Sequence, residues 1–415
     1  MQGPVIIVDG YSAGQLLAPE FKIKGVRCFH VQSTREIWPI FLPSFRPEDY
    51  QANFAFDGDF PALLKWASEV SPIAVLPGTE TGVELADRLS SELHLNNSNG
   101  TEFSAARRDK HLMIERCRQA GIRVAKQLKT DNPSAASQWY EETKQRKIVV
   151  KPVESAGTDG VSICLSKEEV ARAVEAIVGK TNKLGLLNSH ALVQEFLEGT
   201  EYFLNAVSFA GRHHFTDIWR YQKRSLHGHD CVYDKNILCP ASGADEIRLQ
   251  SYVRSVLTAL NIGFGPTHTE VMLGPDGPAL VEVGCRLDGL SVVGFNRGAV
   301  GFSPVDMTVS CYANPESMHL LSPAPYTIRK HARTVYLTSY VNGVIASIPG
   351  EEKLRQLRSC YQLRLRVKPG SKVEKTTNYF NAPGFLSLLH EDREVLEEDY
   401  WFIREFERKE LFEYS

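Results

Sequence analysis

Apolar residues in the 415-residue chain fall into short runs that stop at glycine-bearing turns. Pro4-Val-Ile-Ile-Val-Asp9 ends at Gly10-Tyr-Ser-Ala-Gly14 and gives way to Gln15-Leu-Leu-Ala-Pro-Glu-Phe21, which predicts strand, turn and helix in that order. Gly25-Val-Arg-Cys-Phe-His-Val-Gln32 predicts a second strand. Ile73-Ala-Val-Leu-Pro77 predicts a later one, leading through Gly78–Gly82 into a helix with Val83, Leu85, Ala86 and Leu89. Strands alternating with helices predict a parallel sheet covered on both faces. The first turn lacks the third glycine of G-x-G-x-x-G and has no acidic residue suitably placed after the next strand. It either closes a βα unit or offers helix N-terminal amides to a substrate or phosphate.

Farther on, Ala105–Gly121 predicts a helix with apolar positions 112, 113, 114 and 117, a glycine stop, and a solvated basic face at Arg107, Arg108 and Lys110. Lys147-Ile-Val-Val-Lys151 and Gly160-Val-Ser-Ile-Cys-Leu165 predict a hairpin around a loop of small residues. That order excludes a Walker loop, which needs Gly-x4-Gly-Lys-Ser/Thr before a helix. The loop is either a plain turn or a place where backbone N–H groups approach a phosphate.

The segment Leu192–Ser208 predicts two apolar strands joined by Gln194-Glu-Phe-Leu-Glu-Gly-Thr-Glu201. Thr267–Leu273 and Pro278–Gly284 predict a second hairpin, turning at Gly274-Pro-Asp-Gly277 and bearing one glutamate on each strand, Glu270 and Glu282. Period-2 alternation brings the two carboxylates near each other across the ladder. Either both face solvent, or a cation lies between them, since paired carboxylates repel and are costly to bury. Hard oxygen ligands on rigid strands suit Mg²⁺. His268, two residues before Glu270, shares its face and either positions substrate or is a structural histidine.

Composition narrows the function classes. With 47 Lys plus Arg against 50 Asp plus Glu, the formal net charge of −3 gives no basic excess to carry a nucleic acid. No apolar run approaches the about 18–20 residues that span a bilayer, and no basic n-region precedes an apolar core at the start, so a cytoplasmic protein with no membrane partner is expected. Eight cysteines without a C-x-x-C pair predict reduced thiols, not a zinc site or disulfide framework.

These segments, in this order, resemble the ATP-grasp superfamily: a basic helix with Lys110, the strand lysine Lys151, a small-residue loop, the Gln194–Leu197 hinge, and the Glu270…Glu282…Arg286 hairpin. Within it the chain is similar to the carboxylate-amine ligases of the L-amino-acid ligase type, the group that includes bacilysin-type dipeptide synthetases. The residues behind this are Leu76-Pro-Gly-Thr-Glu-Thr-Gly-Val-Glu-Leu-Ala86, Ala106-Arg-Arg-Asp-Lys-His-Leu-Met-Ile114, Gly265-Pro-Thr-His-Thr-Glu270 and Ala382-Pro-Gly-Phe385 with His390. The likeness spans about residues 1 to 410.

The resemblance implies a mixed α/β and α+β chain. It would have a Rossmann-like pre-ATP-grasp domain over 1–100, a two-lobe ATP-grasp domain over 101–320 with its small lobe at about 125–200, and a C-terminal α+β domain over 321–415. It implies ATP and Mg²⁺, with Mn²⁺ able to replace it. Lys110, Lys151 and the flap residues Ser155, Ala156 and Gly157 would meet the phosphates. Gln194, Glu195 and Leu197 would meet the adenine, Glu201 the ribose, and Glu270 and Glu282 the metal. Arg286, Lys151 and His268 are the implied catalytic residues, and Arg286, Gly289, Lys223 and Tyr233 the substrate residues, with surface lysine the plainer reading of Lys223. Arg286 could hold a carboxylate or acyl phosphate through its planar fork.

One position departs from the superfamily pattern Glu-x-Asn-x-Arg, which reads Glu282-Val-Gly284-Cys-Arg286 here. It leaves a second metal one ligand short unless water, phosphate or a bidentate Glu282 fills the place; the L-amino-acid ligase group tends to lack this asparagine too. The implied activity is ATP-dependent formation of an amide, peptide-like bond between a carboxylate, that of an amino acid or acyl-amino acid, and the amine of an amino acid, through an acyl phosphate, with ADP and phosphate released. Two other readings stay open: an ATP-grasp enzyme with another acceptor, of carboxylase or purine-pathway type, and a non-catalytic nucleotide-binding regulator. A homodimer is left open.

Overall fold

The computed structural model describes residues 3–155, 159–182, 185–320 and 325–415. The N-terminal sheet contains β1 (Val5–Val8), β2 (Cys28–Gln32), β3 (Asn53–Ala55) and β4 (Ala74–Pro77), parallel in the order β3-β2-β1-β4. Central β1 is Val-Ile-Ile-Val with every residue buried, as a strand covered on both faces requires. Alternation divides it between two cores. Val5 and Ile7 join Leu17 and Phe21 of α1 (Leu17–Ile23), whereas Ile6 and Val8 join Phe60 and Leu63 of α2 (Phe60–Val70) and Leu89 of α3 (Val83–Glu92). The helix expected from Gln15 starts as a 3₁₀ turn, Ser12–Leu16. At the carboxyl edge the turns after β1 and β4 touch backbone to backbone: a Cβ on Gly78 would lie 2.6 Å from the Cα of Gly10.

The basic segment differs from its expectation. Ala105–Arg107 is a 3₁₀ turn, and α4 runs only over Lys110–Gln119, capped by Asp109. Arg107 is fully buried and binds Asp87 at 2.8 Å and the carbonyls of Leu260 and Gly100. Arg108 is buried as well, so neither forms a solvated face. Charge spacing alone cannot separate an exposed helix face from a turn lodged between an acidic helix and a carbonyl.

The small lobe is a sheet ordered β5-β8-β6-β7, made of β5 (Gln127–Thr130), β6 (Ile148–Pro152), β7 (Ser162–Cys164) and β8 (Ala191–Glu195). Two helices, α5 (Pro133–Thr143) and α6 (Lys167–Ile177), join its apolar core. The lysine-bearing hairpin is the antiparallel pair β6–β7. The larger sheet, ordered β13-β12-β9-β10-β11-β14-β18-β16, has eight strands. They are β9 (Thr200–Phe209), β10 (Arg212–Leu226), β11 (His229–Leu238), β12 (Gly265–Gly274), β13 (Gly277–Gly284), β14 (His331–Tyr336), β16 (Cys360–Leu365) and β18 (Gly384–His390). Helix α7 (Ala244–Ala259) packs on β10, β12 and β13. The remaining strands, β15 (Gly343–Ser347), β17 (Lys372–Val373) and β19 (Glu413–Tyr414), form a small C-terminal sheet.

Two connections position the site. Residues 196–199 join β8 of the small lobe directly to β9 of the large sheet, so the linker expected to be a hinge is the connection between the two sheets. Pairing of β11 with β14 carries the large sheet across residue 320, so C-terminal strands extend the sheet that begins under the small lobe. No described helix is long and apolar enough to cross a membrane.

Candidate active site

A cavity of about 660 Å³ lies between the small lobe and the large sheet. Val149 and Ile163 of the β6–β7 hairpin supply apolar wall on one side, Met272 and Leu280 on the other. A slot of this kind accepts a flat apolar ring. The hinge residues Gln194, Glu195 and Leu197 also line it, together with Phe196. Gln194 donates to Gln127 Oε1 at 3.0 Å, and Glu195 accepts from the Lys126 N–H at 3.0 Å. Gln127 of β5 and Lys126 just before it thus fix the two polar side chains of this segment.

The metal-type carboxylates are direct partners: Glu270 of β12 stands opposite Glu282 of β13, with a bulge just after Glu270. Glu270 Oε1 accepts from the Tyr221 hydroxyl at 3.1 Å and lies 3.5 Å from His268 Nε2. His268 Nδ1 meets Asn205 Oδ1 at 2.9 Å, and the Asn205 amide donates to Asp217 at 2.6 Å. Burial raises the Glu270 pKa, but the His268 contact, Lys223 and Tyr221 outweigh it and bring the carboxyl down to about 2. Burial lowers the His268 pKa while Asp288 and Glu270 raise it, and the net direction is up. His268 thus sits beside Glu270 without lining the cavity.

Cations and carboxylates alternate around the same wall. Lys110 Nζ lies 2.8 Å from Glu282 and donates to the Ser155 carbonyl at 2.6 Å, tying α4 to the flap. Lys151 is buried on β6, and burial followed by repulsion from Lys110 pushes its ammonium down to about 8 against the pull of Glu282, Glu270 and Glu201. Glu201 pairs with Lys223 at 2.6 Å, yet burial holds its carboxyl above the usual range. Lys223 and Tyr233 are register partners on β10 and β11, and both line the cavity. Lys223 is thus a part-buried partner of Glu201 and the plain surface reading does not describe it. Ser155 lines the cavity, whereas Ala156 and Gly157 lie outside the described residues.

Arg286 does not line this cavity but lies within electrostatic reach of its carboxylates: burial lowers its pKa, and Glu80, Glu282, Asp288 and Glu270 together raise it by more. Its Nε lies 3.0 Å from Glu80 Oε2, and Glu80 Oε1 lies 3.0 Å from Arg108. Gly284 explains the departure from the superfamily pattern: a Cβ there would lie 3.0 Å from Arg286 Cζ and 3.1 Å from Glu80 Oε2. Glu80, from the turn after β4, thus occupies space that a side chain at 284 would need. Gly289 lines a second cavity, of about 770 Å³. The sequence reading also missed Tyr221, which holds Glu270, and Thr377 and Asn378, C-terminal residues that reach the nucleotide-sized cavity.

Among the described residues no group of three or more His, Cys, Asp or Glu side chains forms a metal site. Glu270 and Glu282 are a pair, which is the protein share a hard divalent cation takes when phosphate oxygens and water complete its shell.

Residues 108–237 match the family described as phosphoribosylglycinamide synthetase, ATP-grasp (A) domain. Over 412 residues the chain is 31% identical to dapdiamide A synthase of Enterobacter agglomerans, covering 97% of this chain and 95% of that protein. The chain belongs to the ATP-grasp carboxylate-amine ligases. The fold of this ligase is shared with the L-amino acid ligase from Bacillus licheniformis, at a TM-score of 0.77, 17% identity and full coverage of both chains. It is shared too with a carboxyaminoimidazole ribonucleotide synthase from Aspergillus clavatus, solved with ATP, at a TM-score of 0.70 and 14% identity over 98% of this chain and 99% of that one. This ligase is an ATP-dependent C–N ligase.

Proposed function

We propose that this ligase joins the carboxylate of one amino acid or acyl-amino acid to the amine of a second amino acid, with Mg²⁺-ATP as the energy source. Whole-length identity to an amide-type synthase supports the reaction class, and one observation carries the site assignment. Glu270, Glu282, Lys110 and Lys151 converge on one cavity beneath a hinge between lobes.

ATP would be taken up in that cavity, where Val149, Ile163, Met272 and Leu280 offer apolar wall to its base and Glu201 a carboxylate to its ribose. Glu270 and Glu282 would hold Mg²⁺, which would supply charge neutralisation at the phosphates. Lys151 and Lys110 add positive charge beside the transferring phosphoryl group, where catalysis is mainly positioning and electrostatics. A carboxylate oxygen of the first substrate attacks the γ-phosphorus and ADP leaves. The amine of the second attacks the acyl carbon, phosphate departs, and the amine gives up a proton. Phosphate is a far better leaving group than oxide, so activation divides one hard step into two easier ones. Thr377 and Asn378, which line the cavity from the C-terminal part of the chain, help exclude water, which would hydrolyse the acyl phosphate.

The test is Glu282→Gln. ADP release should fall at least 100-fold while ATP is still bound, and an unchanged rate would remove Glu282 from the machinery.

A further inference from the structure

The segment that follows β2 leaves the N-terminal domain and reaches the small lobe. Phe41 stacks on Tyr11, in the turn after β1, with ring centroids 5.7 Å apart, and Ser44 Oγ accepts from the Ser12 N–H at 2.8 Å. These contacts pin the segment to the carboxyl edge of the parallel sheet. The Phe41 N–H donates to the Trp38 carbonyl at 2.8 Å and closes a tight turn. Trp38 packs on the Tyr11 and Phe41 pair together with Leu186, which comes from the connection between α6 and β8 of the small lobe. The Trp38 indole also covers Gly185, where a Cβ would overlap the ring.

Strand register shows which end of the lobe is held. In the antiparallel pair β6 and β8, Ile148 stands opposite Glu195 and Pro152 opposite Ala191. Both chain connections of the lobe, residues 120–126 and 196–199, are at the Glu195 end, since Gln127 of β5 pairs with Gln194. Lys151 and the α6 to β8 connection lie at the other end, about 13 Å along the strand. There the lobe is tied without covalent links: Lys110 Nζ to the Ser155 carbonyl, Arg108 to Glu154 at 3.7 Å, and the Trp38 contact. Lys110 is a group that ATP phosphates would engage, whereas the Trp38 contact uses nothing that a nucleotide needs. Hydrogen bonds carry this contact toward the cavity. Asn182 Oδ1 accepts from the Leu186 N–H at 3.1 Å, and the Asn182 amide donates to the Glu154 carbonyl at 2.6 Å, three residues past Lys151.

We propose that Trp38 is a positioning residue for phosphoryl and acyl transfer: it holds the Lys151 end of the small lobe against the N-terminal domain, keeping Lys151 and Lys110 on one phosphoryl group and water off the acyl phosphate. The inference rests on the ligase reading above and adds to it a residue that does not line the cavity. A shift of about 1 Å in a catalytic cation is enough to cost two orders of magnitude in rate. Water that reaches the acyl phosphate returns the carboxylate and releases phosphate and a proton, so ATP is consumed without an amide.

The experiment uses the full chain, Mg²⁺-ATP and an amino-acid pair that supports turnover by the parent, with ADP and amide product measured together. The parent should release about one ADP per amide. Trp38→Ala should release at least three and lose at least tenfold in kcat for the amide, with KM for ATP within threefold of the parent. Trp38→Phe, which keeps a ring over Gly185, should recover most of both. Leu186→Ala, made from the small-lobe side, should move the ratio in the same direction by less. A merely structural role lowers the melting temperature and leaves the ratio at one, so a folded Trp38→Ala with one ADP per amide would overturn the proposal, as would an equal loss in Trp38→Phe. If Trp38→Ala does not fold, a ratio of one in Leu186→Ala overturns it instead. Hydrogen exchange supplies a readout without turnover: Trp38→Ala should speed exchange severalfold in peptides covering 150–155 and 179–188 and leave the peptide around Gln194 unchanged. Uniform acceleration, or none, would also overturn it. A parent that releases no ADP with any pair sinks the ligase reading itself, whereas turnover with an unchanged ratio in the variants sinks only the role of Trp38.

Discussion

Glu80, in the turn after β4, holds Arg286, which leaves β13 two residues past Gly284, through a 3.0 Å contact between the N-terminal domain and the ATP-grasp sheet. Because the partners lie about 200 residues apart and Gly284 leaves them room, position 284 and Glu80 are expected to be coupled. Gly284→Asn, which restores the superfamily residue, should lower kcat at least tenfold by displacing Arg286. Adding Glu80→Ala should recover part of the loss. Additive effects of the two changes, measured as ADP release, would contradict the coupling.

Lys151 gives the pH dependence a sign. Its ammonium is pushed down to about 8, below the 10.5 of the unfolded chain, so in the ligand-free protein it is charged below about pH 8 and neutral above. ATP affinity that depends on this cation should therefore be full below pH 8 and fall about tenfold per unit above it. Between pH 8 and 10.5 the unfolded chain holds a proton that the folded one has released, so this group's contribution to stability rises with pH across that window. ATP binding to Lys151→Met, followed by calorimetry from pH 7 to 9.5, should be weak and flat; a retained slope would assign the titration elsewhere.

Arg107 and Asp87 form a buried pair with no exposed guanidinium surface. Removing one partner leaves an unpaired buried charge, which costs about 3–5 kcal/mol. Arg107→Met should lower the denaturant midpoint accordingly, with ATP affinity near that of the parent while the protein is folded. A loss below about 1 kcal/mol would mean that Asp87 becomes neutral at little cost, a route that its burial-raised pKa opens.

Local pattern made much of the site legible. A two-strand hairpin with period-2 side chains fixes Glu270 opposite Glu282 once its turn is located, and the same logic places Lys151 on β6 beside the flap. The Gln194–Leu197 linker was readable because acidic residues interrupt an apolar strand run. What the sequence concealed depends on contacts between distant segments. Nothing near Glu80 announces Arg286, nothing near Arg107 announces Asp87 and Leu260, and Thr377 and Asn378 reach the cavity only because the large sheet continues into the C-terminal strands. The glycine at 284 was the available signal for Glu80, since a missing side chain in a functional strand often marks a neighbour that fills its place.

Amide formation at the Glu270–Glu282 site is tested most directly by ADP release with Mg²⁺-ATP across amino acids taken singly and in pairs, with product masses recorded. The account predicts release that requires a pair and yields a product lighter than the two substrates by one water. Release with bicarbonate or formate in place of a pair, or none with any pair despite ATP binding, would contradict it.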